Sequence, residues 1–363
     1  MKLQGILLSI LMFVVACVDV SACTSAIVSG SKALYGRTML WKHRDSGFPD
    51  NFIGKVERTD STMAYVALFN AGDDDMREAW AGMNEAGFAV MNTASYNLAP
   101  DTAIVKDREG VVMSLALKTC RVVDDFRRLL EREQAKGTLG VQANFGVIDS
   151  IGNGAYFETS DHSFTMYPLA DASDGCLIRS NYSYSGGDEG KLGAVRHDNA
   201  VHLLAEPLKR GVVTPETFTE QISRSFYHAK WGRDMWQCGY AVLTDRGEYI
   251  PRRSSCASVV MECGGEGAPV MWVVMGCPEV SVVQAVTLDF IPDNLLPIGE
   301  NGHSPLCDEA NGRRELTFPR KGSEGKWLID MRYLRKVTPQ LMEISARNYA
   351  EGRQRLGIKE KEK

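Results

Sequence analysis

The 363-residue chain has no excess of positive charge. Its formal net charge is -5, and without a basic stripe or arm there is no electrostatic footprint for nucleic acid. Long apolar runs are missing too: the stretch from Gly5 to Ala16 is too short for a stable bilayer anchor. Histidines are few. His43, His162, His197, His202, His228 and His303 show no pairing at metal-ligand spacing, His197 and His202 standing five apart on an expected helix. Neither metal nor cofactor is expected. Gly264-Gly265-Glu266-Gly267 is followed by strand sequence instead of the helix a phosphate loop requires. Ser183 and Ser185 beside Gly186-Gly187 lack the Gly-x-Ser-x-Gly frame of a hydrolase elbow, which argues against a serine triad. Internal repeats and linkers are absent as well, so residues 23–363 are expected to form one domain.

What is present is a globular composition, 44% apolar and 24% charged, ample for a large core. Short β-rich runs recur at Thr24 to Ser29, Met63 to Phe69, Phe88 to Thr93, Val141 to Asp149, Cys176 to Asn181, Tyr240 to Thr244, Ala257 to Glu262, Val270 to Met275 and Val280 to Thr287. Several, such as Val270-Met271-Trp272-Val273-Val274-Met275, are apolar on both faces and must be covered on both sides. Val111 to about Gln134 has the spacing of an amphipathic helix or a pair of them. Ala194 to Leu208 reads as a helix that breaks near Pro207, and helices are expected to begin at Thr214-Pro215 and Thr338-Pro339, the last covering 338–357. Residues 296–330, rich in Gly, Pro and charge, read as a surface excursion. Two packed sheets with helices outside each fit this order; a single doubly wound sheet is the alternative, although regular strand and helix alternation is lacking.

The N-terminus carries the functional signal. Lys2, the apolar stretch, and the small residues Val20 and Ala22 have the three-part layout of a secretory signal peptide over residues 1–22, which implies export to a periplasm or beyond. Removal would leave Cys23 first, with a thiol nucleophile and an α-amine of pKa about 7.7 to 8.0 on one residue. Two other readings stay open: acylation of Cys23 as in a lipoprotein, since Val-Ser-Ala-Cys fits that cleavage motif, and an ordinary disulfide. Of nine cysteines, Cys17 leaves with the leader; setting Cys23 aside, an odd number remains, so at least one more thiol is free. Cys256 and Cys263 share one strand and are poorly placed to bridge. Strand one, followed by Gly36 to Asp45, would return antiparallel beside Cys23, so Asp45 either holds the α-amine or is a turn residue before Ser46-Gly47.

Cys-Thr-Ser at a processed start, with an Asp about twenty residues on, resembles the N-terminal nucleophile hydrolases of linear amides: choloylglycine hydrolases, acid ceramidase-like amidases and the acyl-coenzyme A:6-aminopenicillanic acid acyltransferase family. The resemblance spans roughly residues 23 to 290. It implies an α+β, four-layer αββα sandwich with Cys23 as nucleophile and Asp45 as the orienting carboxylate. Where those families commonly read Gly-Arg-Asn-x-Asp, this chain reads Trp41-Lys42-His43-Arg44-Asp45, which puts Lys42 in the Arg position; a lysine keeps the charge without the bidentate fork. Gly82 to Asn92 is similar to the Asn-Glu-x-Gly-Leu segment and makes Asn92 an oxyanion donor. Leu177 to Tyr182 resembles the strand ending in an Asn near the nucleophile, here Asn181. Arg196 matches the active-site Arg that follows, or is a helix surface charge. The partner implied is a small-molecule amide such as an N-acyl amino acid or conjugated bile salt, with transfer of the acyl group to an amine as the alternative outcome; a homo-oligomer is compatible with the sequence. Either signal peptidase or self-cleavage would expose Cys23.

Overall fold

The computed structural model describes residues 22–98, 107–137, 139–265, 267–298 and 301–359; the expected signal peptide, up to residue 21, and the charged end of the tail lie outside them. Strands β1 (Thr24–Val28), β2 (Thr38–Asp45), β3 (Asn51–Val56), β4 (Tyr65–Asn70), β5 (Ala81–Asn84) and β6 (Ala89–Ala94) come first. Helices α1 (Glu109–Thr119) and α2 (Val123–Ala135) follow, then β7 (Ala143–Ile148), β8 (Gly154–Thr159), β9 (Phe164–Pro168) and β10 (Cys176–Arg179). Helix α3 (Ala194–Arg210) leads to a π-helical stretch, Thr217–Ile222, and to the short strands β11 (Tyr227–His228), β12 (Arg233–Asp234) and β13 (Val242–Thr244). The chain ends with β14 (Ser255–Cys263), β15 (Val270–Met275), β16 (Val283–Val286), α4 (Pro305–Thr317), β17 (Leu328–Asp330) and α5 (Met331–Leu356).

Two large antiparallel sheets hold these together. One has the order β10-β1-β2-β14-β15-β16, the other runs β3 to β9 in sequence. Period-two alternation gives every central strand two apolar faces, and three separate cores result. Ile27, Leu40, Leu68, Met91, Ile148, Val259 and Val273 fill the space between the sheets. Phe88, Phe145 and Phe157 meet α1 and α2 through Leu117, Phe126 and Leu130 on the outside of one sheet. Val28, Trp41 and Trp272 meet α3, the π-helical stretch and α5 through Leu204, Phe218 and Tyr349 on the outside of the other. Three apolar cores require four layers, and the order is αββα.

Three expectations need correction. Residues 296–330 are not a surface excursion: α4 buries Leu306, Cys307 and Ala310 in the central core, and β17 pairs with β13. Its apolar positions are diluted by Gly, Arg and Glu, which hid the helix. The C-terminal helix starts at Met331, not Thr338, because the Asp330 carboxylate accepts from the backbone N–H of Arg332 and Tyr333 and caps it there. Pro339 falls inside the helix, and so does Pro207 in α3, which continues to Arg210 before Gly211 closes it at φ +65°. In both places packing against the sheet outweighs the lost hydrogen bond.

Candidate active site

β1 and β2 pair with Thr24 opposite His43 and Ser25 opposite Lys42. Alternation then sorts the site onto two faces. Ser25, Ile27, Leu40, Lys42 and Arg44 point toward the second sheet: Ser25 Oγ lies 2.8 Å from Tyr156 Oη on β8, Lys42 reaches Asn92 on β6, and Arg44 reaches Asn70 at the end of β4. Thr24, Trp41, His43 and Asp45 point the other way, under the helical layer. Cys23, one step upstream of Thr24, is buried, and its Sγ lies 3.9 Å from the Asp45 carbonyl oxygen.

On the helical side the Asp45 carboxylate is fully enclosed. Its Oδ2 accepts from Arg252 Nη2 at 2.6 Å and its Oδ1 from Ser255 Oγ at 2.6 Å. Burial alone would raise its pKa, but the Arg252 charge and hydrogen bond, with lesser help from His43 and Arg196, hold it below the usual carboxylate value. Arg252 Nη2 also donates to the carbonyl oxygen of Ala22, the residue just before Cys23. Arg196, on α3, donates from Nη1 to the Cys23 carbonyl at 2.8 Å and to Thr24 Oγ1 at 3.0 Å, and from Nη2 to Asn181 Oδ1 at 2.8 Å. Burial brings its pKa down to about 9, still a cation at neutrality. Gly193, at φ +80°, opens this helix, and a Cβ there would collide with the Arg196 guanidinium; only glycine suits the position. Asn181 is anchored at its other end, Nδ2 donating to the Ala94 carbonyl at 2.9 Å.

On the inter-sheet side Lys42 Nζ donates to Asn92 Oδ1 and to the Trp80 carbonyl, both at 2.8 Å. An ammonium can only donate, so Asn92 must turn Oδ1 toward it and keep its N–H groups for another acceptor. Burial pushes the Lys42 pKa down to about 8, with Cys23 pulling it up and Arg44 pushing it further down. Asn92 and Lys42 thus form one unit, on the same face of the sheet as Cys23 by the alternation.

The six residues expected from the sequence fall in two groups beside the start of β1: Lys42 with Asn92 on one face, and on the other Arg196, which joins the Cys23 carbonyl to Asn181, with Asp45 held by Arg252 and Ser255. Arg196 is no surface charge. Arg252, Ser255 and Trp80 were not expected from the sequence. The nearest thing to a signal is the pair Arg252-Arg253 between Pro251 and the start of β14, and it becomes legible only once Ser255 is known to lie opposite Asp45. Asn84 and Glu158 hold elements together: Asn84 Nδ2 ties β5 to the carbonyls of Leu117 and Cys120, and Glu158 pairs with Arg179 at 2.7 Å. As for metals, Asp50, His303 and Asp308 bring ligand atoms within 4.8 Å of one another, a partly exposed group whose His303 already bonds Asp308 at 2.9 Å. Among the described residues no helix is long and apolar enough to cross a membrane.

No protein-family model matches the chain, and no curated protein matches it. Solved structures do. A single-residue variant of conjugated bile acid hydrolase from Clostridium perfringens is similar at 12% identity and TM-score 0.45, covering 74% of this chain and 95% of that one. The N-acylethanolamine-hydrolyzing acid amidase ortholog of Caenorhabditis elegans is similar at 15% identity and TM-score 0.42, covering 66% and 92%. Penicillin V acylase from Agrobacterium tumefaciens is similar at 14% identity and TM-score 0.38, covering 74% and 87%.

Proposed function

We propose that the chain is a cysteine N-terminal nucleophile amidohydrolase that cleaves a linear C–N amide through an acyl-enzyme. The observation that carries this reading is a pair of buried guanidinium bridges at the start of β1: Arg196 links the Cys23 carbonyl to Asn181, and Arg252 links the Ala22 carbonyl to the Asp45 carboxylate. Buried charges held this way are costly to desolvate, and such clusters are candidates for function. Burial of Cys23 also disfavours the lipid-anchored reading, which needs the residue at the surface.

Removal of the residues before Cys23 converts its peptide nitrogen into an α-amine. The thiol proton passes to that amine, sulfur bonds to the substrate carbonyl carbon, and the C–N bond breaks as the amine returns its proton to the leaving nitrogen. Water, deprotonated by the same amine, then releases the acid and restores the thiol. Asp45, held by Arg252 and Ser255, orients the ammonium and offsets its charge. Asn92 N–H, polarised by Lys42, and the Asn181 amide, fixed by Arg196, supply neutral donors to the oxyanion, where losing one donor typically lowers the rate about a hundredfold or more. The substrate class proposed is an N-acyl amino acid, a conjugated bile salt or a similar amide, and the protein acts outside the cytoplasm after export.

The test offers such a panel to the processed protein and to Cys23→Ala, with free amine as readout and intact mass as the check on the start. Turnover is expected to fall by about a thousandfold or more in the variant, with a wild-type mass that starts at an unmodified Cys23. Equal turnover by the two proteins, or a mass carrying acyl chains, would sink the proposal.

A further inference from the structure

Behind Asp45 and Ser255, buried polar side chains continue along the helical side of β2, and the proposed amide chemistry gives them no role. Trp41 Nε1 donates to Ser258 Oγ at 3.0 Å, and Ser258 Oγ lies 2.8 Å from Ser223 Oγ. Ser223 Oγ lies 3.1 Å from His43 Nδ1, and His43 Nε2 lies 2.9 Å from Ser255 Oγ. Ser255 Oγ then donates to Asp45 Oδ1. All six residues are buried.

The direction of each link follows from chemistry. An indole N–H only donates and an ionised carboxylate only accepts. Ser255 has one hydroxyl hydrogen, and Asp45 takes it; its oxygen also accepts the backbone N–H of Arg252 at 3.1 Å. At its remaining contact Ser255 must therefore accept, so the hydrogen is on His43 Nε2. Burial pushes the His43 pKa down to about 4, against the pull of Asp45 and with a push from Arg252 and Arg196, the charged groups that face it. The ring is neutral, so Nδ1 has a lone pair and accepts from Ser223. Ser223 in turn accepts from Ser258, and Ser258 from Trp41. Every hydrogen in the chain points toward Asp45.

We infer that His43 is a positioning residue for Asp45, setting through Ser255 the rotation of the carboxylate whose other oxygen meets Arg252. The consequence for catalysis rests on the proposed amidase reading. A carboxylate free to turn would no longer hold the Cys23 α-amine in line with the leaving nitrogen, so the loss should appear in kcat and spare KM.

Three variants test it. In His43→Gln the amide keeps one donor toward Ser255 and one acceptor toward Ser223; His43→Phe keeps the volume and neither; Ser255→Ala removes the last link. His43→Phe is expected to lose about 10- to 100-fold in kcat, the scale of a misplaced catalytic group, with KM within about threefold, and His43→Gln to recover most of the loss. Combining His43→Phe with Ser255→Ala should cost no more than the worse single change, since both cut one chain. Wild-type kcat in His43→Phe, or additive losses, overturns the inference. A second readout needs no turnover: the nitrogen-15 shifts of the His43 ring in Cys23→Ala protein at pH 6 should report a neutral ring protonated on Nε2. A ring protonated on Nδ1, or on both nitrogens, overturns the inference. A wild-type protein that cleaves no amide would instead defeat the amidase reading, and the ring shifts would still decide the relay.

Discussion

His43 is the residue whose protonation most directly couples site to stability. Its pKa falls from 6.5 to about 4 on folding, chiefly through burial. Between those values the unfolded chain binds a proton that the folded chain refuses, so stability is complete above pH 6.5 and declines as the pH falls toward 4. The full loss is on the order of 3 kcal/mol. Urea denaturation at about pH 7 and about pH 4.5 should show this decline in the wild type and a shallower one in His43→Gln, which has no proton to take up; equal slopes would mean that the ring is charged in the fold. Lys42 behaves the same way at higher pH. Its folded pKa of about 8 lies below the ordinary 10.5, so its contribution to stability improves as the pH rises through that interval. The residue types at this site could be read from the chain, because Cys23, Lys42 and Asp45 share one short segment. Their partners could not: Arg252 joins Asp45 across 207 positions and Arg196 joins Cys23 across 173, distances over which a linear pattern carries no information.

Strands were legible as elements where they are long and apolar, as in β4, β6, β7, β14 and β15, because a run buried on both faces leaves a compositional mark. Helix limits were less so. Pro339 and Pro207 suggest ends and lie inside helices, while α4 is concealed by polar residues although its Leu306, Cys307 and Ala310 reach the core. Space between elements is equally invisible in a sequence, and Gly82 illustrates it. A Cβ at this position would lie 2.7 Å from the Val66 carbonyl oxygen, 2.7 Å from Ala67 Cβ and 2.8 Å from Leu117 Cδ1; the first of these is backbone and has no room to give. Gly82→Ala is therefore expected to destabilise the fold by about 1–3 kcal/mol, read as a lower urea midpoint with an unchanged m-value. A midpoint equal to that of the wild type would mean that β5 and α1 are less tightly apposed than these distances indicate.

Across the molecule, the cysteines of the described residues are all free thiols, and only Cys238 is exposed. Burial pushes the thiols of Cys120, Cys263 and Cys307 up to about 12 and raises those of Cys176, Cys256 and Cys277 as well, so these six are poor nucleophiles. Brief treatment with iodoacetamide should label Cys238 and, in the processed protein, Cys23, with the other six modified only after unfolding; peptide mass mapping that finds Cys256 or Cys263 labelled at a comparable rate would contradict this packing. The chain by itself determined the class of architecture, the strand-rich core and the suspicion attached to Cys23 with Asp45, because each depends on composition, on period-two burial or on one hairpin. The tertiary structure decided which groups face that cysteine, that Asp45 is clamped by Arg252 and Ser255, and that His43 stands behind it. These depend on the register of β2 against β14 and on a helix laid across the sheet, and registers are fixed by the fit of whole faces, which no short stretch of sequence contains.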